Sequence, residues 1–250
     1  MSWIRGLIRL LFFAIGSLYY ILRCSLHAIL VKDSLEGILK LRRLWFAQIC
    51  WGLGIEVETR GKLPTLSGLL LCNHRSYFDP IVIMAKILAF PVGKASIKTW
   101  PIIGWGAKIS GTIFVDRKSK VGRKAAREQM NETLQKGYFV INYPEGTTHT
   151  EAQTIAFKQG MFQDAAAKGF RIYPIALEYR NKVDAWVGDD TFLRHFMACF
   201  GKKKTFIRIS YGTAIISDDA NDLLLQTKDW INQELQVLRA DWYEATEMVS

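Results

Sequence analysis

The chain is short of several things, and each shortage narrows its chemistry. Cysteine occurs four times in 250 residues, at Cys24, Cys50, Cys72 and Cys199. No two have C-x-x-C spacing and most have apolar neighbours, so neither a disulfide framework, a zinc ribbon nor a dithiol redox site fits. The pattern suits small core residues in a reducing compartment. Histidine is as scarce: His27, His149 and His195 form no ligand cluster with His74, and no metal site is expected. The Gly-x-Ser-x-Gly elbow of serine hydrolases is missing, which leaves a covalent serine mechanism unsupported. Repeats, low-complexity tracts and long linkers are missing too. An uninterrupted apolar run fit to cross a bilayer is also lacking: 13 uncharged positions separate Arg9 from Arg23, where a crossing needs about 20.

What is present is hydrophobic and basic. Half the residues are hydrophobic and the net charge is +10, which excludes a disordered chain and points to an anionic partner. Residues 3–31 are apolar and rich in Trp, Phe and Arg. A second amphipathic stretch, Leu35 to Trp51, sets Lys40, Arg42 and Arg43 beside Leu39, Leu44, Trp45 and Phe46. Two such stretches predict a hairpin half-inserted at a membrane surface. A crossing by residues 10–31 is the alternative, at the cost of carrying Arg23. A cleaved signal peptide lacks an A-x-A-like site. The run Gly201-Lys202-Lys203-Lys204 accompanies no nucleic-acid motif, so no nucleic acid is expected as partner.

From about residue 55, strand-like and helical patterns alternate, which predicts an α/β layer architecture. The predicted strands are Ile55–Thr59, Leu69–Asn73, Thr112–Val115, Tyr138–Tyr143, Arg171–Tyr179 and Phe206–Tyr211. Helices are predicted at Pro80–Leu88, about Lys120–Lys136 before Gly137, Met161–Lys168, and from about Asp218. The last of these carries Ile231, Leu235, Leu238 and Trp242 as a core-facing stripe.

The most informative segment is Asn73-His74-Arg75-Ser76-Tyr77-Phe78-Asp79-Pro80, directly after an apolar run. On one continuous helix, five residues turn by about 500°, leaving His74 and Asp79 roughly 140° apart. They meet only if His74 ends a strand and a turn leads into the helix. Pro80 fits that arrangement and makes Asp79 a natural N-cap. Capping a helix and orienting a histidine are both open to a carboxylate with two oxygens. A carboxylate-held imidazole is fixed in one tautomer and can serve as a general base near neutral pH. A second polar loop, Tyr143-Pro144-Glu145-Gly146-Thr147-Thr148, ends another apolar strand.

Together these residues resemble a known family. Asn73-His74-x-x-x-x-Asp79 is similar to the first motif of the glycerolipid acyltransferases, specifically the 1-acyl-sn-glycerol-3-phosphate acyltransferase family. Gly111-Thr112-Ile113-Phe114-Val115-Asp116-Arg117 resembles its second block, Tyr143-Pro144-Glu145-Gly146-Thr147 its third, and Tyr173-Pro174-Ile175 its fourth. Lys94 with Pro101 and Gly104, and Phe157-Lys158-x-Gly160, resemble intermediate features. The likeness covers roughly residues 55–180.

The resemblance implies an α/β fold, a single acyltransferase domain over residues 53–250 with a mixed central sheet flanked by helices. Residues 1–52 would be its membrane-binding helical hairpin, on the cytoplasmic face of a membrane. It implies an O-acyltransferase that moves a fatty acyl group from acyl-CoA or acyl carrier protein, a co-substrate rather than a cofactor. The implied acceptor is the free sn-2 hydroxyl of lysophosphatidic acid, giving phosphatidic acid. Another lysophospholipid or hydroxylated lipid is the alternative acceptor, and a non-catalytic lipid-binding protein the alternative class. By resemblance His74 is the base and Asp79 its orienting partner. Arg117, Glu145, Gly146 and Thr147 belong to the acceptor site. Glu145 is expected to meet a hydroxyl or an amide network, because it would repel phosphate. The family usually has an arginine after Glu-Gly-Thr, whereas this chain has Thr148 and then His149. Lys94, Lys158 and Arg75 are the candidates to replace that charge.

Overall fold

The computed structural model describes residues 1–32, 34–188 and 190–247. Seven strands form one sheet: β1 (Ile55–Gly61), β2 (Leu69–Cys72), β3 (Ala89–Lys94), β4 (Ile113–Val115), β5 (Phe139–Asn142), β6 (Ile172–Tyr179) and β7 (Thr205–Tyr211). Their order is β1-β7-β6-β2-β5-β3-β4. Every pairing is parallel except β6 with β7, so the sheet is mixed, as expected. Among the described residues eight α-helices accompany it: α1 (Ser2–Leu30), α2 (Leu35–Gly52), α3 (Asp79–Met84), α4 (Ile103–Ile109), α5 (Lys120–Gln135), α6 (Gly160–Lys168), α7 (Phe192–Phe200) and α8 (Ala220–Glu247).

The central strands read as continuous apolar runs because both faces of the sheet are covered. All four residues of β2 and all eight of β6 are buried. Burying each leucine of β2 contributes about 1.5–3 kcal/mol. Alternation then divides the core. Leu70, Ile141, Ile175, Leu177 and Ile209 pack on one face with Phe13, Trp45, Phe78 and Phe196 of α1, α2, α7 and the loop before α3. Leu69, Leu71, Val140 and Ala176 pack on the other with α5, α6 and α8.

Local signals set the helix ends. Ser119 accepts a hydrogen bond from the Gly122 amide at 3.1 Å to cap α5, and Gly137, at φ +83°, follows its end. Asp219 accepts from the amides of Asn221 (2.7 Å) and Asp222 (3.2 Å), capping α8.

Three elements escape a periodicity reading. Strand β3 contains Pro91, which pairs with β5 at the point where β3 passes over to β4, so its missing donor is tolerated. Helices α4 and α7 are short and flanked by irregular chain. The helix expected over Pro80–Leu88 ends at Met84 instead, because the chain must extend again at Ala89 to enter β3.

The two N-terminal helices pack on each other and on the α/β body. The Trp45 ring stacks on Tyr20 with centroids 5.1 Å apart, and its indole N–H donates to the Ser17 hydroxyl at 3.2 Å. At the other end of α1, Arg9 donates to the carbonyls of Phe200 (2.9 Å), Lys202 (2.7 Å) and Lys203 (3.0 Å), and Arg5 to that of Gly201 (3.0 Å). The outer face of α1 stays apolar and exposed at Trp3, Ile8, Ile15 and Ile29.

Candidate active site

Strands β2, β5 and β6 run parallel and adjacent, so the residues that follow their carboxyl ends gather at one edge of the sheet. That edge is where ligands bind in open α/β sheets. Past β2, the side-chain amide of Asn73 donates to the Leu177 carbonyl and accepts from the Leu177 amide, both at 2.8 Å. Asn73 therefore prolongs the ladder by one rung and fixes where His74 begins.

His74 and Asp79 meet. Imidazole Nδ1 lies 2.8 Å from Asp79 Oδ2. The same oxygen accepts from the amides of Arg75 (2.7 Å) and Ser76 (2.9 Å), while Oδ1 accepts from the Tyr179 hydroxyl (2.9 Å). Asp79 is completely buried. The expected N-cap role fails: Asp79 is the first residue of α3, and its carboxylate turns back onto the preceding loop instead of onto α3 amides. With Oδ2 facing donors only, Nδ1 carries a proton, which in the neutral ring leaves the lone pair on Nε2. Nε2 has no hydrogen-bond partner among the described residues. The imidazole stacks on the Tyr143 ring with centroids 4.0 Å apart and a 21° tilt. Burial, then the Asp79 charge, pushes the Tyr143 phenol well up, so it stays protonated.

Glu145 grips the same loop from the other side. Its Oε2 accepts from the His74 amide at 2.7 Å, and Oε1 faces His149 Nε2 (2.7 Å) and the Ile155 amide (3.2 Å). It thus meets an amide network. Gly146, at φ +73°, turns the chain and offers its carbonyl to Arg117. Arg117 and Thr147 line a cavity of about 500 Å³ together with His74 and Lys94. Much of the rest of the lining is apolar, including Phe13, Tyr20, Trp45, Met84 and Ile103. Burial holds the Arg117 guanidinium somewhat below its ordinary value. Lys158 is exposed and is not part of the lining; its amide donates to the Pro144 carbonyl at 2.8 Å. Arg75 is buried, and both its terminal nitrogens are taken up by protein acceptors. It cannot stand in for the arginine missing at position 148, where Thr148 donates to the Trp186 carbonyl.

Tyr179 gave no sequence signal, since it lies 100 residues from the carboxylate it serves. Burial pushes up the thiols of Cys24, Cys50, Cys72 and Cys199 alike, so none is an activated nucleophile. Among the described residues no three His, Cys, Asp or Glu side chains converge as metal ligands.

A family model described as acyltransferase matches residues 54–178. The chain belongs to the acyltransferase family. The matched span carries the His74–Asp79 pair, Glu145 and Tyr143, but stops before Tyr179. Among curated acyltransferases, a lyso-ornithine lipid O-acyltransferase from Pseudomonas aeruginosa is 33% identical over 162 residues, 62% of this chain and 62% of that protein's length. A 1-acyl-sn-glycerol-3-phosphate acyltransferase from Neisseria meningitidis is 27% identical over 197 residues, 76% of each. The fold matches the crystal structure of the 1-acyl-sn-glycerophosphate (LPA) acyltransferase PlsC from Thermotoga maritima, with a TM-score of 0.72 and 17% identity over 97% of this chain and 99% of that one. That likeness extends over α1 and α2, which the family model leaves out.

Proposed function

We propose that this acyltransferase moves a fatty acyl group from an acyl-CoA or acyl carrier protein thioester to the free hydroxyl of a lyso-lipid. The observation that carries it is the buried Asp79 carboxylate holding His74 Nδ1 at 2.8 Å while the imidazole lines the cavity. His74 Nε2 takes the hydroxyl proton as the oxygen bonds to the thioester carbonyl carbon. The resulting oxyanion collapses, the carbon–sulfur bond breaks, and the imidazolium returns its proton to the departing thiolate. The largely apolar lining suits a fatty chain, at a volume typical of small-molecule sites.

For the acceptor head group, a lyso-ornithine lipid comes first. Position 148 lacks the arginine that the family pattern places there, and Thr148 is engaged with protein. One guanidinium, Arg117, suffices for a head group with a carboxylate and no phosphate. The 33%-identical relative acts on such a lipid by name. Lysophosphatidic acid, the expectation from the motifs, is the second reading; a second cation in the cavity lining, Lys94, favours it. We assign residues 1–52 to a hairpin lying on the membrane and residues 53–250 to the catalytic unit. Helix α1 is long and apolar enough to cross a bilayer, yet Arg5 and Arg9 fasten its start to the α7–β7 loop. That favours a helix lying flat, its exposed face toward lipid.

The test offers lyso-ornithine lipid, lysophosphatidic acid and other lyso-lipids with a labelled acyl thioester. Wild-type protein is expected to acylate lyso-ornithine lipid best, and His74→Ala to abolish transfer with membrane association unchanged. Substantial residual turnover in His74→Ala would refute the base assignment.

A further inference from the structure

The grip of Glu145 on the His74 amide belongs to a closed ring of contacts. His74 continues into Arg75, whose buried guanidinium reaches His149; His149 reaches Glu145; and Glu145 returns to the His74 amide. Position 149 falls just outside the motif residues, so nothing in the family pattern gives it a role.

Its protonation follows from what surrounds it. Imidazole Nδ1 faces two groups that can only donate, Arg75 Nη1 at 3.1 Å and the Glu151 amide at 3.2 Å. Nδ1 therefore holds the lone pair and Nε2 the proton, which is donated to Glu145 Oε1 at 2.7 Å. The main chain of His149 adds two more ties: its amide donates to the His74 carbonyl (3.3 Å) and its carbonyl accepts from Arg75 Nη1 (2.9 Å). Arg75 is itself anchored by Glu178 at 3.3 Å and the Glu151 carbonyl at 2.9 Å, and Arg239 also binds Glu178. The His149 side chain is 10% exposed and that of Glu145 is fully buried, so water does not readily replace a lost partner.

We propose that His149 is a positioning residue for the transfer reaction. Its Nε2–H orients the Glu145 carboxylate, which through the His74 amide sets where the base meets the acceptor hydroxyl. The inference rests on His74 being the base. Placement errors near 1 Å can cost about a hundredfold in rate, so the ring acts on kcat more than on substrate binding.

Two polar variants separate positioning from bulk structure. His149→Gln extends an amide donor to where Nε2 sits and keeps the Glu145 bond. His149→Asn reaches only the Nδ1 position and keeps the Arg75 contact while losing Glu145. Gln is expected to hold kcat within about threefold of wild type and Asn to lose about tenfold or more, with KM for both substrates little changed. Equal kcat in the two variants, or a loss confined to KM, overturns the proposal. Histidine-selective ¹⁵N NMR of the full-length wild-type protein in detergent micelles gives a readout independent of turnover. His149 is expected as the Nε2–H tautomer near neutral pH; an Nδ1–H or doubly protonated ring overturns the proposal even with an active enzyme. Retained activity in His74→Ala would instead strike the base assignment, a separate failure.

Discussion

Asp79 shows what a buried carboxylate needs. Four donors converge on its two oxygens: two amides, the His74 imidazole and the Tyr179 hydroxyl. Burying an ion otherwise costs several kcal/mol, so the loop from His74 to Ser76 is shaped around the charge as much as the charge serves the histidine. Tyr143 offers a contrast. Its ring stacks on His74, but its hydroxyl is buried with no partner among the described residues. Tyr143→Phe keeps the stack and removes an orphaned group that costs about 1–3 kcal/mol. Turnover is expected to hold and thermal stability to rise. Tyr143→Leu, which loses the stacked ring, is expected to lower kcat; equal turnover in the Phe and Leu variants would deny the ring any part in aligning His74.

The helical hairpin depends on close approach. A Cβ built on Gly16 would sit 2.1 Å from the Trp45 ring. Trp45 cannot simply swing aside, because it is stacked on Tyr20 and bonded to Ser17. Gly16→Ala is therefore expected to cost about 1–3 kcal/mol by overpacking, read as a lower Tm. Trp45 also lines the cavity, so the same variant should alter acyl-chain preference in the labelled-thioester assay while leaving the His74–Asp79 pair intact. Arg42 of α2 works in the same region. It donates to the carbonyls of Ser110 (2.6 Å) and Ala89, tying α2 to β3 and to the end of α4. Burial brings its guanidinium down to about 10, still well above neutral pH.

The whole molecule carries a burden of buried acids that ionise only at high pH. Burial raises the thiols from their ordinary 9.0 and the phenols of Tyr77, Tyr143, Tyr179 and Tyr211 from 10.0. Above pH 9.0 the unfolded chain releases thiol protons that the folded chain retains, so stability is full below that value and falls as pH rises toward the raised folded values. Thermal unfolding scanned across alkaline pH should show Tm dropping from about pH 9 upward; a flat profile to pH 11 would contradict the buried thiols and phenols. The exposed apolar face of α1, from Trp3 to Ile29, yields a second whole-molecule prediction. Membrane fractions washed with high salt should retain the protein and detergent should release it; release by salt alone would leave the apolar anchor without support.

Much of the chain is legible in its sequence because the signals are local. The apolar β2 run, the Gly137 stop after α5, and the His74-to-Asp79 spacing each depend on a few adjacent residues. Pro91 hid β3, since only its position between β5 and β4 makes a proline tolerable there. No local pattern announced that Tyr179 would serve Asp79 or that His149 would join Arg75 to Glu145. The order of strands in the sheet decided those contacts by bringing the ends of β2, β5 and β6 to one edge. Residue types and their spacing specify the elements and the chemistry they can carry, through interactions a few bonds long. Which distant side chains complete that chemistry is settled by packing, where burial obliges each polar group to find a partner wherever the fold has placed one.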